Sequence, residues 1–173
     1  MYSDYKDQTN QTLVHILGSF LHQFLTTIPE PIPDEVIQKL DDIQKGGRKV
    51  EVKDTLALLK IRLCQLKKAF ICIDAVDELE PKVRQQLLKA LKELVTDTKT
   101  CLFLTGRDHI ESEVQKHFKI TQEYRVKVSA SEQDIREFVR DQIQEDEDLN
   151  PEVMDEALAK DIEDAIIEKS QGM

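Results

Sequence analysis

With 173 residues, 40% of them hydrophobic and 34% charged, the chain can bury one core, or one domain and part of another. Its net charge of −10 and pI near 4.9 argue against nucleic acid or an anionic membrane as partner, since both select clustered Lys and Arg. No apolar run approaches membrane-spanning length, and the first residues carry no apolar signal region.

Taken in chain order, Tyr2 to Tyr5 reads as a short strand or a lead-in segment. Thr12 to Leu25 ("TLVHILGSFLHQFL") is apolar on more than one face and predicts a largely buried helix. "TIPEPIP" places three prolines in five residues and ends it. Asp34 is expected to cap a helix with Val36, Ile37, Leu40 and Ile43 on one stripe, and Gly46-Gly47 to stop it. Asp54 is expected to cap the next, with Leu56, Leu59, Leu63 and Leu66 facing inward. A strand follows from Ala69 to Asp74. Pro81 suits a helix start, and that helix repeats Val83, Leu87, Leu91, Leu94 and Val95. A second strand, "TCLFLT", spans Thr100 to Thr105, and a helix follows from about Asp108 to His117. "EYRVKVS" alternates and predicts a third, less buried strand. Ser131 and Asp134 form a capping box for a helix carrying Ile135, Phe138, Val139 and Ile143. The acidic stretch "QEDEDLNP" reads as a solvated loop before a last helix from Pro151 to about Lys169. Cys64, Cys72 and Cys101, odd in number and in apolar contexts, read as buried thiols of a reducing, cytoplasmic compartment.

Apolar strands separated by single helices predict an α/β fold with a parallel sheet covered on both faces. Ligands in such sheets bind beyond the carboxyl ends of the strands. Asp74, Asp77 and Glu78 follow one strand and Arg107 follows the next, so three acids and an arginine are expected on one rim. Like charges gathered in this way need a counter-charge, and a metal ion is the expected one. Each of these residues also has a plainer explanation. Asp74 can be a strand-end acid that caps a turn, Asp77 and Glu78 the acidic approach to the Pro81 helix, and Arg107 the partner of Asp108. His109 and His117 are eight apart, too far for a metal pair on a helix.

"ICIDAVDE", from Ile71 to Glu78, resembles the Walker B motif of NACHT-type signalling NTPases, and "LFLTGRD" resembles their sensor strand, with Arg107 in the arginine position. "SDYKDQTNQTLVHILGSFLHQFL" resembles the strand and helix after the phosphate loop in the fungal, nephrocystin-type branch. "DIREFVRDQI" and "IIEKSQGM" resemble the start of the small helical domain behind the core. The resemblance implies a P-loop NTPase fold of the AAA+/STAND type that lacks its first strand, with a partial nucleotide-binding core over residues 1–128 and the start of a helical domain over 129–173. It implies Asp74 as the Mg2+ residue, Glu78 as the group that polarises the attacking water, Asp77 in support, and Arg107 as the phosphate sensor. Mg2+ with ATP or GTP would be the cofactors of a complete domain. Other domains of a larger protein, repeat sensors among them, and further copies of the chain in an oligomer would be the partners.

Two features depart from that pattern. Gly106 and Asp108 flank Arg107 where the family usually writes Ser and Pro. No G-x-x-x-x-G-K-[ST] run occurs, and "GGRK" at Gly46 follows a helix and lacks the hydroxyl residue after its lysine. The chain is therefore expected to be a segment that follows the phosphate loop, holds nucleotide poorly alone, and leaves the Tyr124 to Val128 strand without its neighbour. The alternative is a catalytically silent interaction module that kept the fold. Receiver-like and haloacid-phosphatase readings lack, respectively, the second acid pair with its lysine and a D-x-D at a strand end.

Overall fold

The computed structural model describes residues 12–119, 121–149 and 156–170, so the expected strand at Tyr2 to Tyr5 lies outside the described residues. The chain divides after residue 120 into two compact units.

In the first unit Thr12 caps α1 (Leu13–Thr26), accepting the His15 N–H on its hydroxyl at 3.4 Å. This helix buries one stripe, Leu13, Ile16, Leu17, Phe20 and Leu21, rather than several faces, and His15 and His22 lie on its exposed side. Helix α2 (Asp34–Lys45) begins at Asp34 itself, with Pro33 at the cap position and no side-chain cap. Asp34 thus acts as a first-turn acid against the helix dipole, not as a cap. Val36 and Ile43 are buried, whereas Ile37 turns outward. The chain leaves α2 through Gly47, whose φ of 61° is the left-handed conformation that glycine adopts without strain.

Helix α3 (Val52–Cys64) starts after Glu51, and Asp54 accepts the Glu51 N–H at 2.9 Å from inside the first turn. The expected Asp54 cap is therefore the reciprocal half of a capping box. Its buried stripe is Thr55, Leu58, Leu59, Arg62 and Leu63. Strand β1 (Ala69–Ile73) pairs in parallel with β2 (Thr100–Leu104), Ala69 opposite Thr100 through Ile73 opposite Leu104, and α4 (Pro81–Asp97) makes the crossover. Leu58, Leu59 and Leu63 of α3 and Leu87, Leu91 and Leu94 of α4 share one core with α1 and with Ala69, Ile71 and Ile73.

Only that face of the sheet is covered among the described residues. Phe70 is 64% and Phe103 63% exposed, and Cys72 and Cys101 share their side by strict alternation. Both-face burial is thus corrected, and so is the expectation of buried thiols, since Cys64, Cys72 and Cys101 are all exposed. A continuous apolar run reads as doubly buried, but it cannot say whether a covering layer is at hand. The ammonium of Lys68 stands 4.9 Å from the centre of the Phe70 ring.

In the second unit, "EYRVKVS" forms no strand. A 3-10 turn at Gln122–Tyr124 leads into backbone without regular secondary structure, with Tyr124, Val126 and Val128 strongly exposed. The alternation is present, but a strand exists only when a neighbour takes its N–H and C=O groups. Ser131 and Asp134 make the expected reciprocal cap, with Ser131 N to Asp134 Oδ2 at 2.9 Å and Asp134 N to Ser131 Oγ at 3.1 Å. Helix α6 (Glu132–Leu149) takes in Gln144 to Leu149 of the acidic stretch taken as a loop, because no Gly or Pro interrupts it before Pro151.

Helix α7 (Glu156–Ser170) packs on α6, with Val139 and Ile167 buried and Glu163 buried beside them. Two arginines one turn apart on α6 reach that carboxylate, Arg136 Nη1 at 2.6 Å and Arg140 Nε at 3.0 Å. Their hydrogen bonds hold the Glu163 carboxyl below the ordinary glutamate range. A depressed folded value means the contribution is present above the unfolded value and is lost as pH falls. Hydrogen exchange of the α6 and α7 amides, corrected for intrinsic rate, should therefore accelerate as pH drops below about 4.3. Glu163→Gln should flatten that dependence, and an unchanged pH profile in the variant would assign acid sensitivity to another group.

Candidate functional site

Strand β1 stops at Ile73 and hands over to an acid turn. Asp74 comes first, half-buried, and Ala75 follows with φ 52° and ψ 49°. That is the one described non-glycine residue with positive φ, a conformation that costs an L-residue about 1–2 kcal/mol. Val76 is fully buried and starts a 3-10 turn through Glu78, whose N–H donates to Ala75 O at 3.0 Å.

The end of β2 fastens this turn. Thr105 donates its N–H to Ile73 O at 3.0 Å and accepts the Val76 N–H on its carbonyl at 2.9 Å. Its hydroxyl accepts the Ala75 N–H at 2.9 Å and donates to Asp74 Oδ1. Two residues on, Arg107 donates its N–H to Asp77 Oδ1 at 3.3 Å, and its Nε lies 3.6 Å from Asp77 Oδ2. The Asp77 side chain is 6% exposed and that of Arg107 78% exposed, so the acid is seated and the arginine lies over it.

Asp74 and Asp77 at the end of one strand and Thr105 and Arg107 at the end of its parallel neighbour therefore meet on one rim. Asp77 is a partner of Arg107 here, a contact with the preceding acid turn that the sequence reading did not include. Gly106 is explained by the same geometry. A Cβ there would stand 2.8 Å from Ile110 Cδ1 and 3.3 Å from Asp77 Oδ1, so any larger residue would press on the seated carboxylate.

Arg84, from the first turns of α4, fixes the far side of the turn. Its Nη1 donates to Asp77 O at 3.1 Å and Leu79 O at 3.0 Å, and its Nε donates to Glu113 Oε2 at 2.9 Å. Glu113 belongs to α5 (Glu111–His117), and its other oxygen, Oε1, is buried without a hydrogen-bond partner. Sequence reasoning passed over Thr105, Arg84 and Glu113. For Arg84 a signal existed, because it lies on the buried stripe of Leu87, Leu88 and Leu91, where a charged residue needs a reason.

The chemistry open to the rim follows from these contacts. Among the described residues no three His, Cys, Asp or Glu side chains converge as a metal cage. Mg2+ does not need one, since it keeps several waters and is held by one or two carboxylates together with phosphate. Asp74 fits that use, because Thr105 engages Oδ1 and leaves Oδ2 for a cation or its water. Asp77, turned to Arg107, does not join it in the present geometry.

A family model described as nephrocystin 3, N-terminal, matches residues 1–107, which include the whole acid turn and end at Arg107. The chain belongs to that family. Neither the curated proteins nor the solved structures give a match. No helix among the described residues is long and apolar enough to cross a membrane.

Proposed function

We propose that the chain carries the metal-and-water side of a nucleotide-binding switch of the NACHT type, within a P-loop NTPase fold and a larger cytoplasmic signalling protein. The observation that carries this is the meeting of Asp74 and Asp77 with Thr105 and Arg107 at the carboxyl ends of two adjacent parallel strands. In this reading Asp74 holds Mg2+ on Oδ2 or through water, Glu78 takes a proton from the attacking water, and Arg107 is the cation that meets the terminal phosphate. Bound Mg2+ with ATP or GTP would supply charge neutralisation at the phosphates. Arg107 has to leave Asp77 to reach them, so the contact seen here fits a resting state.

No G-x-x-x-x-G-K-[ST] loop lies in the 173 residues, and the amide cradle and lysine would come from another segment. The second reading is an interaction module that keeps the fold and has no turnover. Calorimetry with Mg-ATP and Mg-GTP separates the two. The chain alone should bind more weakly than micromolar. Supplied with a phosphate loop ahead of Met1 it should bind, and Asp74→Ala should weaken that binding. Binding restored by the loop but indifferent to Asp74→Ala would overturn the assignment of the metal side.

A further inference from the structure

We propose that the bare face of the β1 and β2 sheet docks a second copy of this chain, the two sheets packing face to face with their strands in opposite directions. This inference does not rest on the function proposed above.

Alternation carries Lys68, Phe70, Cys72 and Asp74 onto that face of the first strand and its flanks. Contacts fix both ends of the row. The Lys68 ammonium lies over the Phe70 ring, and the Thr105 hydroxyl of the neighbouring segment donates to Asp74. Along the second strand, Lys99, Cys101 and Phe103 share the side of Thr105, and the Ala69 N–H donates to Lys99 O at 3.1 Å, which carries the pairing down to the lysines. The face therefore has three zones. Two exposed lysines stand at the amino end of the strands, the rings and thiols of Phe70, Cys72, Cys101 and Phe103 fill the middle, and Asp74 stands at the carboxyl end. Asp77 and Glu78 follow Asp74, and the one arginine there, Arg107, is engaged by Asp77. Two rings as exposed as these, side by side on paired strands, form the kind of apolar patch that marks an interaction surface.

The register decides what fits it. Phe70 lies beside Cys101 and Cys72 beside Phe103, so large and small side chains alternate along the strands and across them. A second copy turned end over end lays Phe70 over the partner's Cys72 and Phe103 over the partner's Cys101, each ring facing a gap. The same turn lays Lys68 over the partner's Asp74. A copy turned about an axis along the strands would also set rings over gaps, but it would place Lys68 against the partner's Lys99. Shape allows two arrangements, and charge selects one of them. Every contact then occurs twice, as a two-fold interface requires, and packed sheets interdigitate such side chains across about 10 Å.

The test is sedimentation of the full chain across the micromolar range, together with carbodiimide coupling, which joins an amine to a carboxylate without a spacer. Lys68 and Asp74 end one extended segment and lie about 20 Å apart within a chain, so an amide between them must join two copies. The parent should dimerise reversibly and yield that amide. Phe103→Asp should weaken the dimer about tenfold or more, and its melting temperature should stay near the parent's because the ring is exposed. Phe70→Ser adds no charge to the sheet and should weaken the dimer in the same direction. Lys68→Glu/Lys99→Glu should weaken it at low salt, with the loss shrinking as salt is added. A parent that stays monomeric throughout would overturn the proposal and leave the face to a different partner. A dimer indifferent to both phenylalanine variants would also overturn it, by placing the contact elsewhere. A dimer weakened by those variants but not by lysine reversal, with no amide between Lys68 and Asp74, would overturn the antiparallel arrangement.

Discussion

Replacing Arg62 by leucine is expected to lower the stability of the first unit by about 3 kcal/mol or more, although leucine suits the surrounding core. Arg62 is fully buried on the apolar stripe of α3 and meets no carboxylate among its hydrogen-bond partners. Its guanidinium donates to Phe24 O, Pro31 O and Glu30 O, each at 3.0 Å, and more loosely to Gln65 Oε1 at 3.4 Å. These carbonyls have few other donors. Phe24 belongs to the last turn of α1, where carbonyls lack partners within the helix. Glu30 and Pro31 lie among Pro29, Pro31 and Pro33, which have no N–H to give. One fork therefore fastens the proline segment to the core, and leucine would leave three acceptors to find water or move. Arg62→Lys should recover part of the loss, because an ammonium keeps the charge but cannot span three carbonyls with a planar fork. Urea unfolding would check this, and a midpoint for Arg62→Leu within error of the parent would show that the segment reorganises without cost.

How far the sequence revealed all this depended on whether a signal was local. The β1, crossover helix and β2 unit was legible because two short apolar runs flank a seventeen-residue helix with Pro81 at its head, and a parallel pair needs such a connection. The rim was legible too, since Asp74, Asp77 and Glu78 follow one run and Arg107 the other. Its wiring was not. That Asp77 turns to Arg107 and Thr105 to Asp74 depends on strand register, which places Ile73 opposite Leu104 and so brings the two chain ends together. The expectations of a sheet covered on both faces and of a strand at "EYRVKVS" failed for one common reason. Apolar runs and alternation report what a segment would bury or pair with, and not whether the partner layer or strand is present. Arg62 and Arg84 were visible as charges on apolar stripes and went unread, because the stripes were drawn from the hydrophobic residues alone.

In the proposed function the largest expected change in rate belongs to the base. In a chain supplied with a phosphate loop ahead of Met1, Glu78→Gln should reduce nucleotide turnover by about 10²-fold or more, the scale of lost general-base assistance. Glutamine keeps the size and a carbonyl acceptor but cannot take a proton from water. Nucleotide binding should survive, because Asp74 and the phosphate loop would still hold metal and phosphate, whereas Asp74→Ala should weaken binding itself. Asp77 was the competitor for this role, and the geometry counts against it. Its carboxylate is seated at 6% exposure, tied to the Arg107 N–H and to the guanidinium, while Glu78 closes the 3-10 turn half-buried. Asp77→Asn should accordingly act on the arginine rather than on the water. It loosens the Arg107 contact, and its effect on rate should be smaller than that of Glu78→Gln and should change with added salt, as an exposed guanidinium's attractions do. A chain that hydrolyses nucleotide equally well after Glu78→Gln would exclude Glu78 as the base. Turnover lost instead through Asp77→Asn would require Asp77 to leave Arg107 before it could serve the water.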